Sequence, residues 1–222
     1  MGDWVDLKAS DGHDFKAWRA APKGKPKAAL VVVQEIFGVN SHIRSITDRF
    51  AAEGYLAIAP AMFDRYQRDF ETGYGPDGLA EAMAIVPKID TPKALLDIEA
   101  ARADVHPVGK VGIVGFCFGG TIAWLGATRL KFDAASCYYG GQIARLAKER
   151  PHCPVIMHFG AKDAHIPLTQ VDEIRNAQPD VPIYIYDADH GFSCDERASY
   201  DEAAHNLAWT RTLKFFAENL HA

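Results

Sequence analysis

The stretch Gly115-Phe116-Cys117-Phe118-Gly119 decides the fold of this chain, because it joins an apolar strand at 110–114 to a helix predicted at 119–131. Glycines two positions either side of a cysteine are typical of a nucleophile elbow, a sharp turn that strains the backbone of its central residue. The glycines leave room where side chains would collide with the neighbouring strand and helix. The helix N-terminus then faces the sulfur and favours negative charge on it. The stretch also fits a glycine-rich turn around a small, buried and inert cysteine.

Two later strands end in polar residues that suit a catalytic triad. The apolar run 154–159 is followed by Asp163, and the run 182–186 is followed by His190. In α/β-hydrolases the nucleophile, the acid and the histidine follow one another in this order, and each comes after its own strand. The sequence therefore predicts that Cys117, Asp163 and His190 form a triad at one edge of a sheet.

Asp163 has competitors for the role of the triad acid. Asp187 and Asp189 lie within three residues of His190, too close in sequence for a carboxylate to reach easily the ring nitrogen that faces away from the sulfur. Asp163 itself also fits as a cap for the helix after Pro167. Its strand-end position favours Asp163 as the acid.

His190 is preferred among the nine histidines because it combines a strand-end position with a following glycine. His158 lies within an apolar strand and is predicted to be a hydrogen-bonded core residue. His165 follows Asp163 too closely to be oriented by it in the usual way, so its expected place is the rim of the pocket.

The composition fits one enzyme domain over residues 1–222, with 48% apolar and 24% charged residues. Strand and helix patterns alternate without a linker, which indicates the α/β fold class of an α/β-hydrolase: a mostly parallel central sheet with helices on both faces. An irregular loop is expected at 64–76. Strands are predicted at 3–7 and 14–20 as an antiparallel hairpin, then at 29–33, 55–59, 110–114, 134–138, 154–159 and 182–186, and helices at 41–53, 92–105, 119–131, 168–178 and 199–219.

Charge and cysteine spacing narrow the range of partners. The net charge of −5 and the lack of basic clusters argue against nucleic acid or an acidic membrane and favour a small molecule. No apolar run approaches the length of a membrane span, and residues 1–6 lack the regions of a signal peptide. The four cysteines show no CxxC spacing, so neither a zinc site nor a dithiol motif is indicated. We expect a cytoplasmic, cofactor-free monomer or small homo-oligomer.

The loop Gln34–Asn40 follows the first long apolar strand and should reach the same edge of the sheet as Cys117. In α/β-hydrolases one oxyanion-hole amide follows the nucleophile and the other lies in a loop after an early strand. These donors are predicted here to be Phe118 and Ile36. Glu35 is either solvent-facing or held inward as a partner of the thiol or of His190.

Over essentially its whole length the chain resembles the dienelactone hydrolases, also called carboxymethylenebutenolidases. The resemblance implies a cofactor-free triad of Cys117, His190 and Asp163, with Glu35 holding the resting cysteine and swinging away when substrate arrives. It also implies opening of the lactone ring of dienelactone to give maleylacetate, and a pocket tyrosine at Tyr138. The matching segments are Gln34–Asn40, Gly112–Gly120, Tyr138–Gly140, Gly160–Asp163 and His190–Phe192.

The chain departs from the family pattern at a position where other members bind the carboxylate of the substrate. The best-known members use two arginines, one of them four residues beyond the catalytic histidine, where this chain has Cys194. Arg197 is expected to substitute, with Arg65 and Arg68 as alternatives. Cys194 either approaches the site or is a loop residue without chemistry.

These residues predict a hydrolase that acts on a lactone or an ester through a thiol ester on Cys117. A broader carboxylesterase or thioesterase is the alternative within enzymes. From another class, a thiol redox sensor would use Cys117 with Cys194 as its resolving cysteine.

Overall fold

The structure of the protein is a computed structural model that describes residues 1–221. The described residues form two compact units, Met1–Gly112 and Ile113–His221. Strands and helices alternate along both units, as the sequence predicts. The assignment of residues 1–222 to one domain stays a prediction.

The first unit combines an antiparallel hairpin with a parallel strand pair. Its strands and α-helices are β1 (Asp3–Lys8), β2 (Asp14–Ala20), β3 (Ala29–Val33), α1 (Ser41–Ala52), β4 (Leu56–Pro60), α2 (Pro76–Ile85) and α3 (Thr91–Val105). β1 pairs antiparallel with β2, β2 antiparallel with β4, and β4 parallel with β3. Every residue of β3 is buried, as expected for a continuous apolar run.

The second unit continues with parallel strands and the helices that connect them. Its elements are β5 (Val111–Phe116), which begins at the end of the first unit, α4 (Phe118–Arg129), β6 (Ala134–Tyr138), α5 (Ile143–Leu146), β7 (Val155–Gly160), α6 (Leu168–Ala177), β8 (Ile183–Tyr186) and α7 (Glu202–Leu220). β7 pairs parallel with both β6 and β8. Cys117, Asp163 and His190 therefore follow the carboxyl ends of β5, β7 and β8.

Most predicted elements are confirmed, and the fold class with them. β2, β3 and β6 have the predicted bounds, and the other predicted strands and helices shift by one to three residues. α1 begins after Asn40, whose side chain accepts a hydrogen bond from the backbone of Ile43, and it ends before Gly54, as predicted. Within residues 1–221, no helix combines the length and the apolar character that crossing a bilayer requires.

A buried polar network joins α7 to the strands of the second unit. The Thr212 hydroxyl lies 2.7 Å from the hydroxyl of Tyr138 and 3.1 Å from Nε2 of His158. Nδ1 of His158 lies 2.8 Å from the hydroxyl of Tyr186. Burial, with the charge of Arg211, lowers the pKa of His158 to about 3, so this ring is neutral. The prediction that His158 is a hydrogen-bonded core residue is confirmed.

Candidate active site

The turn at Cys117 has the geometry of a nucleophile elbow. Its backbone lies at φ 56° and ψ −115°, a conformation that residues other than glycine rarely adopt. Its half-buried side chain lies at the start of α4. A Cβ on Gly115 would lie 1.9 Å from the carbonyl oxygen of Gly119, and one on Gly120 would lie 2.2 Å from that of Tyr138. Only glycine therefore fits at positions 115 and 120, and the elbow is confirmed as a backbone feature.

Replacing Gly115 with alanine is expected to lower the free energy of unfolding by about 2 to 4 kcal/mol, because the new methyl group meets rigid backbone. The urea midpoint of unfolding measures the change. Gly141→Ala is the matched control, since a Cβ there meets no atom within 4 Å. Equal midpoints for the two variants would contradict the close approach of β5 and α4.

Asp163 holds the ring of His190. Its Oδ2 lies 2.7 Å from Nδ1 of His190, and its Oδ1 accepts hydrogen bonds from the backbone N–H groups of His165 at 2.8 Å and Ile166 at 3.1 Å. Burial of the carboxyl group would raise its pKa, but the hydrogen bonds and the charge of His190 outweigh burial and lower it. The carboxylate is therefore ionised and fixed through both oxygens.

The competing acids do not reach the ring of His190. The carboxylate of Asp187 is exposed and lies 3.0 Å from Nζ of Lys162. Asp189 accepts a hydrogen bond from the backbone N–H of His190 at 2.6 Å. Asp163 is not the cap of α6 either, because the residue at that position is Pro167.

His190 is also close enough to Cys117 for that residue to affect the charge of its ring. Because Nδ1 faces Asp163, the Nε2 edge of the ring is the edge that is left to interact with the sulfur. Burial alone would lower the pKa of His190, but its hydrogen bond to Asp163 and the negative charge of Asp163 and Cys117 raise it to about 10. At neutral pH the ring is therefore an imidazolium between a carboxylate and a sulfur, and the structure brings the three predicted triad residues together.

Two aromatic rings contact His190, and neither is Tyr138. The ring centroid of Tyr139 lies 5.1 Å from that of His190, and the ring centroid of His165 lies 5.3 Å from it. Tyr138 is only 1% exposed and directs its hydroxyl to Thr212. The role of Tyr138 in the pocket stays a prediction. Tyr139, which is itself fully buried, has a left-handed backbone at φ 36° that breaks the alternation of the strand.

Arg197 lies against the residue that follows His190. Its guanidinium group packs over the backbone of Gly191, the residue after His190, so that a Cβ on Gly191 would lie 2.6 Å from Nη1 of Arg197. This placement suits the predicted contact with a substrate carboxylate, which stays a prediction.

The alternative arginines are engaged elsewhere. Arg65 is 8% exposed and donates two hydrogen bonds to the buried carboxylate of Asp97, at 2.8 and 2.7 Å. It also donates two to Asp11, at 2.8 and 3.1 Å. Arg68 donates to the backbone carbonyl of Asp14 at 2.6 Å. Arg65 is therefore a structural ion-pair residue, since its guanidinium is already shared by two carboxylates.

The loop after β3 belongs to the first unit. Glu35 is fully buried, which excludes the solvent-facing alternative. Its backbone carbonyl accepts a hydrogen bond from the side chain of Gln34 at 3.2 Å. Gly38, with φ 80°, packs so closely on the loop at Phe70 that a Cβ would lie 2.1 Å from the Phe70 carbonyl oxygen. The roles of Glu35 and of the half-buried Ile36 stay predictions.

The other three cysteines lack the features of a nucleophile. Burial raises the pKa of the Cys137 thiol, and burial with the nearby charge of Asp133 raises that of Cys153 to about 12. Cys194, the resolving cysteine of the sensor alternative, is fully buried in the loop after His190.

Comparison with known proteins agrees with this geometry. The model of the dienelactone hydrolase family matches residues 15–220. The chain belongs to this family. It is a dienelactone hydrolase-like enzyme, and so a hydrolase that acts on ester or lactone bonds.

Several relatives of this dienelactone hydrolase family member are similar over nearly their whole length. The carboxymethylenebutenolidase of Pseudomonas putida is 30% identical over 230 residues, which cover 98% of this chain and 97% of that protein. A Synechocystis protein provisionally named a carboxymethylenebutenolidase is 39% identical over 211 residues, covering 86% of each chain. A crystal structure from Klebsiella pneumoniae, provisionally described as a dienelactone hydrolase, matches 98% of this chain and 99% of its own, with 33% identity and a TM-score of 0.86.

Proposed function

We propose that this enzyme opens a lactone or an ester bond through a thiol ester on Cys117. The observation that carries the proposal is the His190 ring, which is bonded to Asp163 at 2.7 Å and whose pKa is raised by both Asp163 and Cys117, the residue at the elbow. A nucleophile at a strained turn, a base within hydrogen-bond reach and an acid that orients the base are the parts that acyl transfer needs.

In the first half of the reaction the sulfur of Cys117 attacks the substrate carbonyl. The tetrahedral intermediate then expels the alcohol oxygen, which takes a proton from His190, and a thiol ester remains. In the second half a water molecule gives a proton to the now neutral His190 and attacks the thiol ester. Collapse of this second intermediate releases the acid and regenerates Cys117. Asp163 keeps the ring in one tautomer throughout.

The negative oxygen of each intermediate needs hydrogen-bond donors. The backbone amide of Phe118 is at the first position of α4, directly after Cys117, which is the usual place of an oxyanion-hole donor beside the nucleophile. We propose Phe118 as one donor and retain the Ile36 amide as the predicted second donor. The proposed reaction requires no cofactor.

The proposed substrate class is a lactone or ester like dienelactone, whose opening gives an acid such as maleylacetate. The name of the Pseudomonas putida relative supports this class. The placement of Arg197 against Gly191, the residue after His190, supports a substrate that carries a free carboxylate. A broader carboxylesterase or thioesterase would use the same triad on a different acyl compound.

A hydrolysis screen tests the proposal. The wild type is assayed on lactones, esters and thioesters, each with and without a free carboxylate, and we expect turnover with higher kcat/KM for the carboxylate-bearing member of each pair. Equal rates within the pairs would favour the broader esterase. The absence of turnover on every compound would contradict the proposed function.

Replacing Glu35 with glutamine tests its predicted pairing with the resting thiol or with His190. Because a buried carboxylate near either group affects its charge, we expect the pH dependence of Cys117 alkylation and of turnover to shift in this variant. Iodoacetamide labelling rates and kcat/KM are measured between pH 5 and 10. Profiles that overlay those of the wild type would remove Glu35 from the site.

A further inference from the structure

His165 lies against the catalytic histidine without belonging to the triad. Its ring centroid is 5.3 Å from that of His190, and the two ring planes meet at 76°. His165 is exposed, whereas the side chain of His190 is only 11% exposed. Oδ1 of Asp163 accepts the backbone N–H of His165, while Oδ2 bonds the ring of His190. One buried carboxylate therefore fixes the positions of both residues.

The chemistry of the proposed reaction places the leaving group next to this pair of rings. A general acid must lie within hydrogen-bond distance, about 2.6 to 3.2 Å, of the oxygen that it protonates. The alcohol oxygen that the tetrahedral intermediate expels, as the thiol ester forms, therefore lies against His190. A group bonded to that oxygen is then within reach of an exposed ring whose centroid is 5.3 Å from that of His190.

We propose that His165 is a specificity-determining residue that contacts the leaving group and favours planar ones, that is, aryl and enol esters over alkyl esters. The inference rests on the proposed function and adds the leaving-group side of the site to it. A flat imidazole gains most from packing against another flat ring or conjugated group. Contacts of this kind change kcat/KM by about 3- to 10-fold.

Two series of esters separate the leaving-group side from the acyl side. The first series joins one acid to phenol, to an enol and to small alkyl alcohols, and the second joins phenol to several acids. For His165→Ala we expect the ratio of aryl to alkyl kcat/KM to fall about 3- to 10-fold relative to the wild type. Ratios within the acyl series should stay within about 2-fold. Because each ratio is compared with that of the wild type, the intrinsic reactivity of the esters cancels.

Two further variants make the test specific. His165→Phe keeps a flat ring and should restore most of the aryl preference. His152→Ala removes an exposed histidine before β7, at the opposite end of that strand from Asp163, and should leave both series unchanged. Thermal unfolding checks that the variants are as stable as the wild type.

Several results would overturn the inference. A uniform loss of rate over both series would mean that His165 acts only on stability or on the position of His190. A shift confined to the acyl series would place it on the other side of the substrate, and unchanged ratios would exclude any contact. If the wild type hydrolyses no lactone, ester or thioester, the proposed function itself fails. If the wild type hydrolyses lactones but none of the esters in the two series, the inference fails and the proposed function stands. If the esters are hydrolysed and His165→Ala keeps the wild-type selectivity, only the inference fails.

Discussion

Replacing Cys117 with alanine is expected to lower ester hydrolysis by about 10⁴-fold or more, because no other group stands at the elbow to form the covalent intermediate. Steady-state turnover of an ester that the wild type hydrolyses measures the loss. The fold should survive, since alanine has a smaller side chain and the strained backbone is set by the glycines around it.

Cys153→Ala is the matched control for this variant. Cys153 is also half-buried in the second unit, but burial and the nearby Asp133 raise its pKa to about 12. We expect the control to retain most of the wild-type rate. Substantial turnover by Cys117→Ala, or comparable losses in the two variants, would mean that the nucleophile lies elsewhere.

Replacing Asp163 with asparagine is expected to lower kcat by about 10³- to 10⁴-fold. An amide cannot stabilise the imidazolium, and it favours the wrong tautomer of His190. Because Asp163 helps to raise the pKa of His190 to about 10 in the wild type, the variant ring should lose its proton at a lower pH. Turnover and a titration of the His190 ring by NMR measure the two effects.

Asp187→Asn serves as the control for this variant, because that exposed carboxylate pairs with Lys162 rather than with the ring. The control should change neither kcat nor the titration of His190. A large loss of activity in Asp187→Asn, with Asp163→Asn active, would transfer the role of the acid.

The sequence predicts the strands better than the connections between them. β3 and β6 are buried along their whole length, so a run of apolar residues is enough to find them. α2 is not predicted, because it buries only Gly78, Ala82 and Ile85 and follows a charged, glycine-rich loop. α7 begins at Glu202, where Asp201 caps it, rather than at 199.

The sequence likewise predicts some residues of the candidate site and misses others. Cys117, Asp163 and His190 are found from the sequence because each lies in the turn or loop that follows a strand, and parallel strands end at the same edge of a sheet. The contact of Tyr139 with His190 is not predicted, because a positive φ at the end of a strand cannot be read from two adjacent tyrosines in the sequence. The pairing of Arg65 with Asp97 is also missed, since no local pattern reports a contact between residues 32 positions apart.

The glycines of the site have a consequence for directed evolution of substrate range. At Gly115, Gly120 and Gly160 a Cβ would lie 1.9, 2.2 and 2.3 Å from a backbone oxygen, so mutant libraries that vary these positions would consist mostly of misfolded clones. The side chain of His165, against the ring of His190, and that of Arg197, against Gly191, lie outside this rigid frame. Combinatorial libraries limited to such side chains would sample new selectivities and would leave the backbone around Cys117 unaltered.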